Sequence, residues 1–279
     1  MITINHFRRL VWDNYRLHGR HDLPWRLDHS PYAVLVSELM LQQTQVARVI
    51  PKFEAFMSRF PTIQQLAAAE LADVLMLWSG LGYNRRARYL WQSAQIVCAQ
   101  YNAQLPEDSR QLSGLPGIGK NTAGAILAYG FDKPVVFIET NVRTVFLHHF
   151  FADVTDVPDN ELLTLVERAL DSTQPRVWYW ALMDYGAYLK AQSATRHAHQ
   201  RSSHYAKQSS FAGSLRQLRG AVLKSLAHEG AQTLAQLTRL ISDDRLQPVL
   251  SDLEKETMIY QRAGMYFLGA PKTSSRVDS

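Results

Sequence analysis

Apolar residues recur along this chain at spacings of three and four, the signature of helices that bury one face. The pattern predicts helices over 6–18, 32–43, 50–60, 63–79, 85–101, 121–129, 141–151, 160–172 and 176–189. Pro51 suits the first turn of its helix, where a missing N–H costs nothing. The one strand-like run before residue 190 is 135–138, too short to found a sheet. An all-α core follows.

The periodicity fades over 191–213, where Ser, Gln, His and Ala dominate, and this stretch reads as a basic linker after a core of 1–190. It resumes over 214–270. Ser214 is placed to cap a helix whose apolar face carries Leu215, Leu218, Val222, Leu223 and Leu226, and His228-Glu229-Gly230 ends it. Helices over 233–241 and 246–256 follow, then an alternating run that turns at Ala263-Gly264 like a hairpin. Three helices and a hairpin resemble a winged-helix domain, a module whose generic role is DNA contact. Residues 271–279 read as a disordered tail.

Hydrophobic residues make up 46% of the 279, ample for a packed core. No apolar run is long enough for a membrane helix, and the N-terminus lacks the regions of a signal peptide. A cytoplasmic, nucleoid-associated monomer with no membrane partner is the expectation. The single cysteine, Cys98, excludes an internal disulfide and any four-cysteine cluster. Net charge is +5, and its distribution is uneven. Between Asp184 and Glu229 no acidic residue occurs, while Lys190, Arg196, Arg201, Lys207, Arg216, Arg219 and Lys224 do. That stretch is suited to phosphates. His197, His199 and His204 lack the companions a metal site needs, so no metal is expected.

Two motifs carry the candidate chemistry. Leu115-Pro116-Gly117-Ile118-Gly119-Lys120-Asn121-Thr122-Ala123-Gly124 is a glycine turn opening a helix, whose free N–H groups suit a phosphate. Glu139 follows 20 residues after Gly119, within Phe137-Ile138-Glu139-Thr140-Asn141-Val142-Arg143. A phosphate grip followed by an acid suggests chemistry on a nucleic acid. A second carboxylate, Glu38, lies among Val34, Leu35, Val36, Leu39, Met40 and Leu41. Such surroundings strip its hydration and raise its pKa, as a general acid requires.

Together with Leu23-Pro24-Trp25-Arg26, the run from Val36 through Gln45 to Val46, Trp78-Ser79-Gly80-Leu81-Gly82-Tyr83 and Leu182-Met183-Asp184-Tyr185-Gly186-Ala187, these motifs resemble the helix-hairpin-helix (HhH-GPD) DNA glycosylases, and within them the MutY-type adenine glycosylases. The resemblance implies two helical lobes followed by the small winged-helix (α+β) domain. It implies that Glu38 protonates the leaving base and that Glu139, where the superfamily carries aspartate, stabilises the sugar cation. Asn141 would help position that carboxylate and water. Arg26, Asp184 and Asn121 would line the base pocket. Gln42, Gln43, Thr44, Gln45, Tyr83, Asn84, Arg85, Arg86, Gly117, Gly119, Lys120, Thr122 and Arg143 would contact DNA. Asn121 stands where bifunctional relatives carry a lysine nucleophile, so a monofunctional enzyme is expected.

The chain also departs from the pattern. It lacks the iron–sulfur cysteines, so no cofactor is expected, and 214–270 is too short for the long-form relatives' domain that reads 8-oxoguanine. Asn84 replaces a wedging tyrosine. The expected function is a base-excision glycosylase acting on double-stranded DNA with a mismatched or damaged base, adenine in a mismatch first. Alternatives are thymine or uracil opposite guanine, a modified pyrimidine, or a lesion-binding protein without turnover.

Overall fold

The computed structural model describes residues 2–152, 154–192 and 210–271. The linker cations Arg196, Arg201 and Lys207, the histidines at 197, 199 and 204, and 272–279 lie outside them. The chain forms two compact units, Met1–Glu38 with Leu105–Gln208, and Leu39–Gln104 with Ser209–Ser279. No linker marks the first boundary, which falls within a helix.

The described elements of the first unit are all helices. Its elements are α1 (Ile4–His18), α2 (Pro24–Leu27), the start of α3 (Pro31–Leu41), α8 (Ser109–Ser113), α9 (Lys120–Ala125), a π-helical turn (Ile126–Gly130), α10 (Thr140–Phe150), α11 (Asp159–Ala169) and α12 (Pro175–Ala191). Thr3 caps α1 by accepting from the His6 amide. Phe7 of α1 inserts between α10 and α12, 4.9 Å from Phe146 and 6.3 Å from Trp178, measured between ring centres. Arg8 closes the end of α11 by donating to the carbonyls of Arg168, Ala169 and Leu170.

The run 135–138 forms no strand. One side chain holds its backbone, for the Tyr179 hydroxyl donates to the Val135 carbonyl (2.8 Å) and accepts from the Phe137 amide (3.3 Å), while the Val135 amide donates to the Lys133 carbonyl (2.8 Å). The apolar residues that imitate a strand are an extended segment packed on α12. Phe137 in turn lies against Gly124 of α9, where an added Cβ would sit 2.7 Å from the Phe137 Cβ.

The second unit holds α4 (Val46–Arg59), α5 (Ile63–Ala68), α6 (Leu71–Trp78) and α7 (Arg85–Gln100) with the C-terminal module. The single helix expected over 63–79 is two. The backbone turns extended at Ala69 and Glu70, and the Trp91 indole donates to the Ala69 carbonyl freed by the break. Pro51 lies inside α4 rather than in its first turn, because the helix begins at Val46. The C-terminal module runs α13 (Leu215–Glu229), β1 (Gln232–Thr233), α14 (Leu234–Leu240), α15 (Leu246–Lys255), β2 (Ile259–Arg262) and β3 (Met265–Leu268). Ser214 caps α13, and Thr233 and Gln236 form a capping box on α14. Ala263 and Gly264 both take positive φ, the two-residue turn that suits a twisted hairpin. The antiparallel order is β1-β3-β2, a winged-helix arrangement. β1 is only two residues long, and periodicity could not reveal it.

Helices α10 and α12 approach closely in the first unit. A Cβ added at Gly186 would lie 2.4 Å from the Asn141 carbonyl oxygen. Gly186→Ala is therefore expected to push the two helices apart and cost about 1–3 kcal/mol. Urea unfolding would check this, and an unchanged midpoint would show that the two backbones are not in contact there.

Candidate active site

Glu38 sits at the unit boundary on α3, a helix apolar on nearly every side. Val34, Leu35, Val36, Leu39 and Met40 are all buried, and Ser37 turns its hydroxyl back to the Val34 carbonyl. Glu139 ends the segment held by Tyr179 and occupies the N-cap position of α10. Its side chain does not cap the helix. The carboxyl groups of Glu38 and Glu139 are hydrogen-bonded to each other instead. Both residues retain some accessible surface, yet protein atoms crowd their carboxyl groups.

Two carboxylates in contact cannot both be ionised, so one keeps its proton and donates it to the other. Burial, the Glu139 charge and the hydrogen bond to Glu139 push Glu38 well above the usual carboxylate range. Burial raises Glu139 to about 7, against the opposing effect of the Glu38 hydrogen bond. Glu38 is thus the acid and Glu139 the base of a singly protonated pair. The positive end of α10 favours the charge on Glu139.

Tyr129 lies near the pair, and two polar clusters stand in the same unit. Tyr129, from the π-helical turn, is buried and within electrostatic reach of both acids. Its ring stacks on Trp180, over whose other contact, Arg26, the guanidinium lies 5.3 Å from the indole centre. Arg26 binds Asp184 through two nitrogens (2.7 and 3.0 Å), and Arg20 adds its amide (2.8 Å) and Nε (2.7 Å) to the same carboxylate. Burial alone would raise Asp184, but the hydrogen bonds and charges of Arg26 and Arg20 hold it below the ordinary value. Asn141 donates to the Met183 carbonyl (3.2 Å) and accepts from the Lys190 ammonium (2.7 Å). Burial lowers that ammonium to about 8.

This geometry can be set beside known proteins. The family model for HhH-GPD superfamily base excision DNA repair proteins matches residues 36–168. An adenine DNA glycosylase of Mycolicibacterium smegmatis is 36% identical over 225 residues, covering 75% of this chain and 76% of that protein. The chain belongs to the HhH-GPD superfamily, in its MutY-type branch. An adenine DNA glycosylase of Buchnera aphidicola subsp. Schizaphis graminum is 42% identical over 149 residues, 53% of this chain and 43% of the relative. The chain spans about half the length of the curated Buchnera relatives it matches. A thermostable thymine-DNA glycosylase shares the fold at a TM-score of 0.59 and 23% identity, over 68% of this chain and 90% of that one. An endonuclease III in a non-covalent DNA complex does so at 0.58 and 21%, over 69% and 90%.

The HhH-GPD residues read from sequence fall into groups. Glu38, Glu139 and Asn141 lie in the first unit, with Arg26 and Asp184 linked to the acids through Trp180 and Tyr129. Arg26 and Asp184 are 8% and 4% exposed and are spent on each other, so the pair is a brace behind the site rather than an open pocket wall. Asn121 is exposed on α9, not enclosed as a pocket residue would be. In the hairpin Gly117 has a φ of 77°, while Gly119, Lys120 and Asn121 are exposed and Thr122 partly so. A Cβ at Gly119 would meet nothing within 4 Å. Arg143 is tied to both oxygens of Asp159.

In the second unit Gln43 and Gln45 are exposed, and Gln42, Thr44, Tyr83 and Asn84 partly so. Arg86 corrects the phosphate reading. It is 6% exposed, and its guanidinium is consumed by the carbonyls of Leu39, Met40, Gln42 and Gly82 and the Thr44 hydroxyl. It fixes the 42–44 and 80–83 loops from inside, and burial lowers it to about 10. Arg85 pairs with Glu256, which Arg219 also binds. Sequence reading missed Tyr129, Trp180, Arg20 and Lys190 as parts of the site. Tyr129 was one more apolar position at the end of a helix, and Lys190 one more cation of a basic stretch.

The acid pair has a measurable cost. Glu139 binds its proton more tightly folded, with a value of about 7, than unfolded, near the ordinary 4.5. The stability this confers is complete below about 4.5 and is lost as pH rises through 7. Glu139→Gln removes a buried charge and is expected to melt higher than the parent at pH 8, with the gap closing toward pH 4.5. Glu38→Gln, whose parent carboxyl must take up a proton on folding at pH 8, should likewise melt higher than the parent there, with the gap closing on acidification. Calorimetry at three pH values checks both, and a gap for Glu139→Gln that grows on acidification would refute the shared proton.

Proposed function

We propose that this chain is a monofunctional DNA glycosylase that hydrolyses the N-glycosidic bond of an extruded base, adenine in a mismatch foremost. The singly protonated Glu38–Glu139 pair carries the reading. Glu38 holds a proton at neutral pH and delivers it to the leaving base, which turns a poor leaving group into a neutral one. Glu139 holds the negative charge beside the sugar as it becomes an oxocarbenium-like cation, and it accepts a proton from the attacking water. Asn141, fixed at both ends by Met183 and Lys190, orients that carboxylate and the water. The hairpin glycines, the exposed Lys120 and the partly exposed Thr122 supply phosphate contact, and the 42–45 loop enters the duplex as the base leaves the stack. The likeness to adenine DNA glycosylases supports adenine, whereas Glu139 and Asn84 differ from the adenine pattern and keep the other bases in the assay.

The test is single-turnover excision from end-labelled duplexes carrying A opposite 8-oxoguanine, A opposite G, T opposite G, U opposite G and modified cytosines, with and without hot alkali. Strand breakage only after alkali, in the adenine duplexes, is expected. Glu38→Gln should lower the rate about 100- to 10,000-fold while duplex affinity persists. The rate should rise as pH passes about 7, where Glu139 ionises, and fall again at higher pH, where Glu38 gives up its proton. Breakage without alkali would overturn the monofunctional reading. Tight binding with no breakage in any duplex would favour a lesion-binding protein.

A further inference from the structure

Tyr129 is built differently from Tyr179 and Tyr185, two other buried tyrosines of the first unit. The Tyr179 hydroxyl makes two backbone hydrogen bonds, and that of Tyr185 lies 2.8 Å from His149 Nε2. The Tyr129 hydroxyl is buried and has no hydrogen-bond partner among the described residues, and the residue is only 5% exposed. Such groups are uncommon because each lowers stability, and where they persist they call for an explanation.

The position is fixed on every side. The ring lies 6.4 Å from Trp180 in a near-parallel stack (19°) and meets Phe137 edge-on at 6.1 Å. The Tyr129 carbonyl accepts from Arg176 Nε at 2.5 Å. The residue sits in a π-helical turn, a distortion that often marks functional sites. With ring and backbone both held, the hydroxyl cannot swing to another partner. It remains within the electrostatic influence of Glu139 and Glu38. Burial and those charges keep the phenol protonated far into the alkaline range, so it is a permanent neutral donor.

We propose that the Tyr129 hydroxyl is a contact for the base brought to the Glu38–Glu139 pair, donating a hydrogen bond to an acceptor atom on the base edge. The inference rests on the glycosylase reading above and deepens it. Glu38 supplies the proton that moves, and Tyr129 supplies a donor that does not. An acceptor edge then gains a partner for the empty hydroxyl, whereas an apolar or donor edge leaves it unpaired. A site that hydrogen-bonds its substrate rejects analogues lacking the matching atom more strongly than an apolar pocket can.

The test is Tyr129→Phe, which deletes one atom and leaves the stack on Trp180. Melting temperature, duplex affinity, single-turnover excision and the fluorescence of 2-aminopurine at the target position would be measured for parent and variant. The variant is expected to melt no lower than the parent and to bind duplex within about twofold, while excision falls roughly 10-fold or more, the scale of one lost hydrogen bond. Unchanged excision, or a loss that follows a lowered melting temperature, would overturn the contact. If the parent excises no base at all, the glycosylase reading fails by itself. The fluorescence then decides, since capture of 2-aminopurine weakened by Tyr129→Phe sustains the contact and equal capture refutes it.

Discussion

A proton shared between two buried carboxyl groups is the constraint around which the first unit is arranged. Glu38 and Glu139 lie 101 positions apart in sequence, and bringing them into contact is costly in two ways. Each loses hydration, and their charges repel once both ionise. The surroundings do not relieve that cost with a neutralising cation. Arg26 is close enough to act on Tyr129, but its guanidinium is committed to Asp184. The contrast between the two clusters is informative. Asp184 is surrounded by donors and is held ionised, so its pair can serve as a rigid support. Among the described residues the Glu38–Glu139 pair shows no such donors, and Glu139 stays titratable near neutrality.

Rigidity around the pair comes from groups that are individually ordinary. Tyr179 pins the extended segment leading to Glu139, Gly124 lets Phe137 of that segment lie against α9, and Gly186 lets α12 approach the Asn141 backbone. None of these touches a base in the proposed reaction. They set where the second carboxylate stands, and a displacement near 1 Å is enough to cost about 100-fold in rate. The second unit uses the same economy. One buried guanidinium, Arg86, satisfies the carbonyls of two loops whose glycines and Tyr83 take positive φ.

Local patterns made the helices legible because each buries one face, and the acids were legible because a carboxylate inside an apolar run is out of place. Caps and turns were also readable, as Ser214, Gly230 and Ala263-Gly264 show. What sequence could not show was the use of each polar group. Arg86 and Arg85 are adjacent cations, yet one faces carbonyls inside the protein and the other faces Glu256. The run 135–138 has strand composition but finds a tyrosine instead of a neighbouring strand. The break at Ala69 is invisible because the residues around it favour helix, and the indole that satisfies it lies 22 positions away. Tyr129 is the clearest case, for its apolar neighbours fit the helix period and only the missing partner distinguishes its hydroxyl.

The direct hydrogen bond between the acids also bears on how a substrate would be received. In the proposed reaction a base and its sugar would stand between the acid and the stabilising carboxylate and replace the Glu38–Glu139 contact. Two separations follow from that exchange. The proton leaves Glu38 for the base, and Glu139 loses the donor that held it down, while the sugar gains positive charge beside it. Without that cation an exposed Glu139 carboxylate would be harder to ionise, since burial already raises it to about 7. With the cation present the same burial strengthens the attraction, because less water screens it. The hydrogen bond from Glu38 and the charge of the sugar would then play one role in turn, each supporting a Glu139 carboxylate that burial alone would neutralise.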